Sequence, residues 1–406
     1  MDGSDTPTDT SAHMGVRCGA GVSTQADLSD ALDEARAQAH RALGATVTAD
    51  LSLVFISKAY GDSISPIMEH LSECIPASVV LGTTVEGVLA GGVEYEGGFA
   101  VTVWLGIFPH ASLVPLALDY TRTADGGSFI GWPQELDNGW PSQASLLILA
   151  DPFSFPMDQL LRQLHEDHPD VTVIGGMASG GHEPGCNRLV MNTQSYDAGA
   201  VGEIIGDGIR IRTVVSQGCR PIGTPFVITK AESNVIVELG GKSALDQLRG
   251  VYASLSHEDQ MLIRTSLHIG YAANEYQESF HQGDFLVRTI AGADPDSGVL
   301  AVGDLVRTGQ TVQFHVRDAT SAHDDLITLL TREKERGIKV AGGIMFSCNG
   351  RGSRLFGSNH HDAGCLQELF GPLPVTGFFA QGEIGPIGNR AFVHGFTASI
   401  ALFEMT

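Results

Sequence analysis

The sequence predicts an α/β chain, an α+β mixture in which one strand–helix–strand unit closed by a glycine-rich loop is used three times, in two halves around mixed β-sheets. Two observations carry this. Three loops share one spacing, Gly82-TTVE-Gly87, Gly175-GMAS-Gly180 and Gly377-FFAQ-Gly382, and each follows a short apolar run, SVVL, VTVI and LPVT. Upstream of the first two loops the pattern repeats in register, an apolar strand followed by apolar residues at i, i+3, i+4 and i+7.

The chain opens on MDGSDTPTDTSAH, acidic, polar and without the apolar segment of a secretory signal, so residues 1–15 are expected to form a flexible tail. Residues 28–43 have the pattern of an amphipathic helix. The first copy follows, with LSLVFIS at residues 51–57 and a helix carrying Ile64, Ile67, Met68 and Leu71, with Pro66 near its start. The second copy has SLLILAD at residues 145–151, then Pro156 opening a helix with Met157, Leu160, Leu161 and Leu164. The third has GGIMFS at residues 342–347 and a shorter helical set, Leu366, Leu369 and Phe370. Residues 99–105, 199–215 and 284–316 read as strands, the last group broken by the turn ADPDSG. Around residues 221–225 the chain passes into a new strand pair, FVITK and NVIVEL, which places a domain boundary there. A further helix is expected from Ser321, with Asp324 completing a capping box.

Lys and Arg number 24 against 47 Asp and Glu, and the net charge of −23 repels phosphate backbones and anionic lipid surfaces. Nucleic acid and membrane are therefore not expected partners. The longest strongly apolar run, residues 99–108, falls well short of the roughly 20 residues a membrane helix needs. Six dispersed cysteines without a C-x-x-C pair point to reduced thiols in a cytoplasmic protein.

Several short motifs carry less than they suggest. GGKS at residues 240–243 lacks the upstream glycine of a phosphate loop, and it is read as a hairpin end with Ser243 capping a helix. HEDH at residues 165–168 is read as a wet helix end, and the adjacent His360 and His361 point in different directions, which suits no shared metal. Cys348, at a strand end beside Asn349 and Arg351, is the candidate nucleophile should the protein be an enzyme.

VQFHVRDA at residues 312–319 alternates Val312, Phe314 and Val316 with Gln313, His315 and Arg317, one apolar strand face and one hydrogen-bonding face. His315 is the candidate axial ligand if haem is bound. Ligands of α/β sheets gather beyond the carboxyl ends of strands, where glycine loops can turn backbone N–H groups towards them. The candidate ligand-binding set is Gly82, Thr83, Thr84 and Glu86 from the first loop, Gly176 and Ser179 from the second, and Gly382 and Glu383 from the third. His315, Arg317, Asp318, Cys348, Asn349 and Arg351 complete it. In this reading Arg317 and Arg351 hold a carboxylate while Glu383, Asp318 or Glu86 takes an ammonium, as suits a zwitterion such as an amino acid. The same groups equally suit a structural ion-pair network.

VQFHVRDATSAHDDL, FSCNGRGSRLFG and GFFAQGEIGPIGNRAFVHGFTASIALF closely resemble the C-terminal half of the FIST family of sensory domains. The segment from Leu53 through GTTVEG to GGMASGG resembles the FIST N-terminal half. On this resemblance residues 16–224 form the N-terminal and residues 225–406 the C-terminal domain. It implies an intracellular sensor of small molecules such as amino acids, and the function expected here is non-catalytic ligand binding without a cofactor. Output domains are often attached in that family; none is recognised here, and signalling is expected through a separate partner protein. Some members are haem-binding nitric-oxide sensors, and others belong to F-box proteins. Many place a cysteine after the first loop's opening glycine, where this chain has Thr83. A haem-dependent gas sensor, a Cys348 enzyme and a protein-interaction scaffold are the alternative readings.

Overall fold

The computed structural model describes residues 15–44, 48–123, 126–277 and 279–405, so the expected tail, but for its last residue, lies outside the described residues. The three copies are three sheets of one design. In the first, Ala49–Ser57 runs parallel to Ala77–Val85, with Val101–Ile107 and then Arg17–Ser23 added antiparallel on the other side. In the second, Ser145–Ala150 and Thr172–Met177 are the parallel pair, flanked by Ala200–Gly206 and Ser112–Thr123. In the third, Val340–Cys348 and Val375–Ala380 are flanked by Thr397–Glu404 and Ile211–Gln217.

The register explains the recurring glycines. Gly82, Gly175 and Gly377 stand opposite Val54, Ile148 and Met345, the same site in each unit. A Cβ on Gly175 or Gly377 would lie 1.8 Å from the carbonyl oxygen of Ile148 or Met345, so only glycine allows the neighbouring strand so close.

After each loop the chain makes a hairpin that leaves its own sheet. Val88–Ala90 with Val93–Tyr95, from the first unit, extends the third sheet along Val375–Ala380. Leu189–Met191 with Gln194–Tyr196, from the second, extends the first along Ala77–Val85. Glu383–Ile387 with Arg390–His394, from the third, extends the second along Thr172–Met177. The exchange closes a ring of three.

The inner faces of the sheets meet in one core, where Leu53, Phe55 and Trp104 pack with Leu147, Leu149 and Val201 and with Phe346, Phe378 and Phe403. Each outer face is covered by helix. Leu28–Leu43 buries Leu28, Ala31, Leu32, Ala35, Ala39 and Leu43 on the first sheet, begins at an Asp27 cap, and ends where Gly44 turns left-handed at φ 63°. Met157–Asp167 covers the second sheet, and Ala319–Glu335 with His361–Phe370 covers the third.

Two helical expectations need correction. The single helix through Ile64 and Leu71 is instead a 3₁₀ turn, Lys58–Ser63, followed by short helices Ile64–Met68 and Leu71–Cys74. At His70 the backbone leaves helical dihedrals with φ −120°, which ends the first short helix and starts the second instead of continuing one helix. The helix expected from Ser321 begins two residues earlier, because Asp318 rather than Ser321 caps it, accepting from the Thr320 N–H at 3.0 Å.

Six further strands form a closed barrel. Cys219–Glu232, Thr311–Arg317, Leu267–Ala272, Phe285–Asp294, Val299–Val302 and Val235–Leu239 pair in turn, and the last returns to the first. Residues 221–225 lie within Cys219–Glu232, where its pairing with Thr311–Arg317 is interrupted between Ile222 and Phe226. Ser243 caps Ala244–Ser254 as GGKS suggests. Val312, Phe314 and Val316 fill the barrel, whereas Gln313 and His315 point outward and are buried all the same, against the body of the molecule. Among the described residues no helix is long and apolar enough to cross a membrane.

Candidate functional site

The predicted site residues divide between two places. The first is the junction of the three glycine loops. There the Gly180 N–H donates to the Thr84 carbonyl at 3.2 Å, the Phe379 N–H to Gly87 at 3.0 Å, and the Met177 N–H to Gly382 at 2.8 Å. The Ser179 hydroxyl donates to the Phe379 carbonyl and accepts from the Glu86 N–H at 2.9 Å, while Thr84 Oγ1 accepts from the Arg188 N–H. Thr83 is buried, and a Cβ on Gly176 would lie 2.8 Å from Phe346. Glu86 pairs with Arg354 at 2.7 Å. Gly82, Thr83, Thr84, Gly176 and Ser179 thus lock the units together, and their polar groups are spent on one another.

The second place is a cleft of about 390 Å³ between the barrel and the third unit. Cys348, Asn349, Gln381 and Gly382, at the carboxyl ends of Val340–Cys348 and Val375–Ala380, make one wall. Val393, His394, Gly395 and Phe396 make the floor, and Val287, Arg288, Thr289, Gly303 and Asp304 of the barrel make the opposite wall. Asp158, in the first turn of Met157–Asp167, closes one end. Three of the predicted residues, Cys348, Asn349 and Gly382, line it.

Behind the third-unit wall sits the rest of the predicted cluster. Arg351 is fully buried and forks onto Asp362, Nε to Oδ2 at 2.7 Å and Nη2 to Oδ1 at 2.8 Å. The carboxylate it holds is therefore the chain's own. Burial alone would push Asp362 up, but the Arg351 charge and hydrogen bonds from Arg351, His361 and Ser347 outweigh it and hold the carboxyl well below its usual range. Arg351 Nη1 also reaches the Phe396 carbonyl at 3.4 Å. Arg317 donates to the Gly350 carbonyl and lies over the Phe396 ring, tying barrel to third unit. Asp318 is occupied as a helix cap and as the partner of Arg220.

Glu383 is fully buried. Its Oε2 accepts from the Thr397 N–H at 3.1 Å and hydroxyl at 2.6 Å, and Oε1 has no partner among the described residues. Burial pushes it up to about 8 against the opposing Thr397 bonds, so at neutral pH it keeps its proton and offers an ammonium no full charge. Burial likewise pushes the Cys348 thiol up, with Glu383 adding to the effect, which leaves it a thiol rather than a nucleophilic thiolate. His394 on the cleft floor is pulled down to about 4 by burial and bonds the Gly385 carbonyl at 2.8 Å, a neutral ring.

His315 lies deeper, its Nδ1 on the Gln313 carbonyl at 3.0 Å and its Nε2 without a partner among the described residues. The ring stands 5.0 Å from Phe285, and a Cβ on Gly270 would lie 2.4 Å from its Cε1. That enclosure does not fit a haem, which needs an open face beside the ligating nitrogen.

The charged groups facing the cleft are ones that the sequence did not single out. Arg288 donates from Nε to Asp304 at 2.9 Å and from Nη1 to the Val287 carbonyl. Burial pushes Asp158 up, opposed first by the positive charge of Arg288. One cation, Arg288, and two carboxylates, Asp158 and the Asp304 that pairs with Arg288, thus stand in one half-enclosed space with Val393 and Phe396. No local pattern marks Arg288 or Asp158, since they meet only through contact of the barrel with the second unit's helix.

The FIST N domain family matches residues 50–242 and the FIST C domain family matches residues 244–386. Uncharacterized protein Rv0628c of Mycobacterium tuberculosis is 39% identical over 389 residues, covering 96% of this chain and all of that protein. Uncharacterized protein Mb0898c of Mycobacterium bovis is 38% identical over the same length, covering 96% of this chain and 99% of its own. F-box/LRR-repeat protein At5g63520 of Arabidopsis thaliana is 24% identical over 232 residues, 55% of this chain and 42% of that protein.

Proposed function

The chain belongs to the FIST family, whose domains are small-ligand-binding sensory modules rather than catalysts, and we propose that it senses a small zwitterion, an amino acid or similar carboxylate, in the barrel-side cleft. The ligand carboxylate meets Arg288 and the ammonium meets Asp158, while the side chain rests on Val393 and Phe396. One observation carries this reading: opposite charges face a cleft of about 390 Å³, a volume suited to a small molecule, at the carboxyl ends of two parallel strands. The predicted residues Cys348, Asn349 and Gly382 supply the opposite wall, and Arg351, Arg317 and Glu383 stiffen it from behind.

The cleft lies across the contact between barrel and third unit, so a ligand touching both biases their arrangement by its differential affinity for two states. A separate partner protein in the cytoplasm reads that change, and no cofactor is required.

Thermal unfolding of the purified chain against the twenty amino acids and small carboxylates tests this. Ligand at about 100 times its dissociation constant stabilises the folded state by about 2.7 kcal/mol, enough to move the melting temperature visibly. A selective shift lost in Arg288→Ala is the expected result. No shift with any compound, or a shift that survives Arg288→Ala, overturns the reading. A Soret band after haem reconstitution that disappears in His315→Ala would replace it with a haem sensor.

A further inference from the structure

Outside the cleft, two helices on the outer face of the third sheet bring three metal-binding side chains together. His361 and Cys365 lie one helical turn apart on His361–Phe370 and so share a face. His323 faces them from Ala319–Glu335. His361 Nε2 stands 3.0 Å from His323 Nδ1, Cys365 Sγ stands 3.9 Å from the same atom, and the three donor atoms lie within 4.8 Å of one another. Around a tetrahedral zinc, bonds of about 2.05 Å to nitrogen and 2.3 Å to sulfur put two nitrogens about 3.3 Å apart and nitrogen and sulfur about 3.6 Å apart. The two separations from His323 Nδ1 differ from these by a few tenths of an ångström, and side-chain rotation brings Cys365 Sγ and His361 Nε2, within 4.8 Å of each other, to the same spacing.

The surroundings of His361 are those of a prepared ligand. Its Nδ1 bonds the Asp362 carboxylate at 3.0 Å, which directs Nε2 towards the other two donors. A carboxylate behind an imidazole fixes tautomer and ring orientation and makes the metal-facing nitrogen more basic. Asp362 is itself immobilised by Arg351 and by the Ser347 hydroxyl, and the His361 ring is stacked on Phe356 with an interplanar angle of 11°. Cys365 is buried and His323 is exposed, so a metal among them has an apolar side and a solvent side.

We propose that His323, His361 and Cys365 bind one zinc ion, with a fourth position open to water or an exogenous ligand. Two imidazoles and a thiolate favour zinc over magnesium or calcium, which take oxygen donors. Three protein ligands with an open position distinguish the site from a closed structural zinc. Binding displaces the Cys365 thiol proton to solvent.

The test is Co²⁺ titration of the full chain after chelator treatment, followed by absorption and then by Zn²⁺ displacement. The expected result is saturation at a single equivalent, visible bands of a tetrahedral ion, a near-ultraviolet thiolate charge-transfer band, and loss of both on adding Zn²⁺. Cys365→Ser abolishes the charge-transfer band. His323→Ala, on an exposed ring, leaves the metal-free melting temperature unchanged and weakens Zn²⁺ binding by more than the roughly 10–100-fold typical of losing an outer-shell partner. Failure of the wild-type chain to bind Co²⁺ or Zn²⁺, or a Co²⁺ spectrum indifferent to Cys365→Ser, overturns the proposal. Should Cys365→Ser fold poorly, His323→Ala decides, and unchanged Zn²⁺ affinity there overturns it equally.

Discussion

Glu203→Gln should stabilise this protein, and by an amount that grows with pH. Glu203 lies on Ala200–Gly206 opposite Leu147, fully buried, and among the described residues neither carboxylate oxygen has a hydrogen-bond partner. The corresponding site in the first unit is Trp104, opposite Leu53, and in the third Ala401, opposite Ile344, so the same core face holds a glutamic acid only in the second. Burial alone pushes the group from its ordinary 4.5 up to about 9. Between those values the folded chain holds a proton that the unfolded chain has released. Stability therefore falls as pH rises through that window. From about pH 5.5 to about pH 8 the wild type loses about 3 kcal/mol through this group, at roughly 1.4 kcal/mol per pH unit. Glutamine has similar shape and does not titrate, so that loss disappears in Glu203→Gln, while contributions from Glu383 and Glu94 are common to both chains and cancel. Urea unfolding of both proteins at the two pH values measures the difference. A stability gap of equal size at both would show that Glu203 does not carry its proton in the folded state, and the reasoning would fail.

Two further outcomes follow from buried groups in the third unit. Arg351→Met strands Asp362 as an uncompensated buried charge and should cost about 3–5 kcal/mol in chemical unfolding, whereas Arg351→Met with Asp362→Leu should cost less. With the native protein at neutral pH, iodoacetamide should label exposed Cys186 well before Cys348, whose buried thiol stays protonated; peptide mapping reads the order, and rapid Cys348 labelling would reopen a nucleophilic role.

The repeating unit was legible because its determinants are local. A glycine is required wherever the neighbouring strand's carbonyl comes as close as Ile148 does to Gly175, and apolar residues must recur at helical spacing to cover a sheet. The alternation in residues 312–317 likewise gave the correct barrel face, although the polar side proved to be an internal contact rather than a wet one. Exchange of the hairpins was not legible, since nothing in Val88–Ala90 distinguishes an edge 290 or so residues away from the adjacent one. For the same reason the loop glycines invite a ligand-cradling interpretation: sequence shows that N–H groups are exposed by a turn, not that Thr84, Gly87 and Gly382 of other units accept them. Arg351 was legible as a carboxylate holder, but its carboxylate is Asp362. Asp158 and Arg288 come from different units and carry no shared spacing. His361 and Cys365 do carry one, the i, i+4 interval of a helix face, which the adjacency of His360 and His361 obscures.

The hairpin exchange gives the chain the architecture of a swapped trimer whose three protomers are already tethered. In a trimer of separate chains, each swap would depend on protein concentration; here the donor is supplied at the roughly millimolar effective concentration of a flexible linker or higher, and assembly is independent of dilution. The arrangement also sets where the polypeptide can be divided. A fragment holding residues 50–242 has the strand Thr172–Met177 but not the hairpin Glu383–Ile387 with Arg390–His394 that covers its edge, and it carries Val88–Ala90 with no Val375–Ala380 to receive it. Such a fragment exposes an unpaired strand edge, a template for aggregation. Hairpins on each side of the border between the two family segments thus pair with strands on the other side.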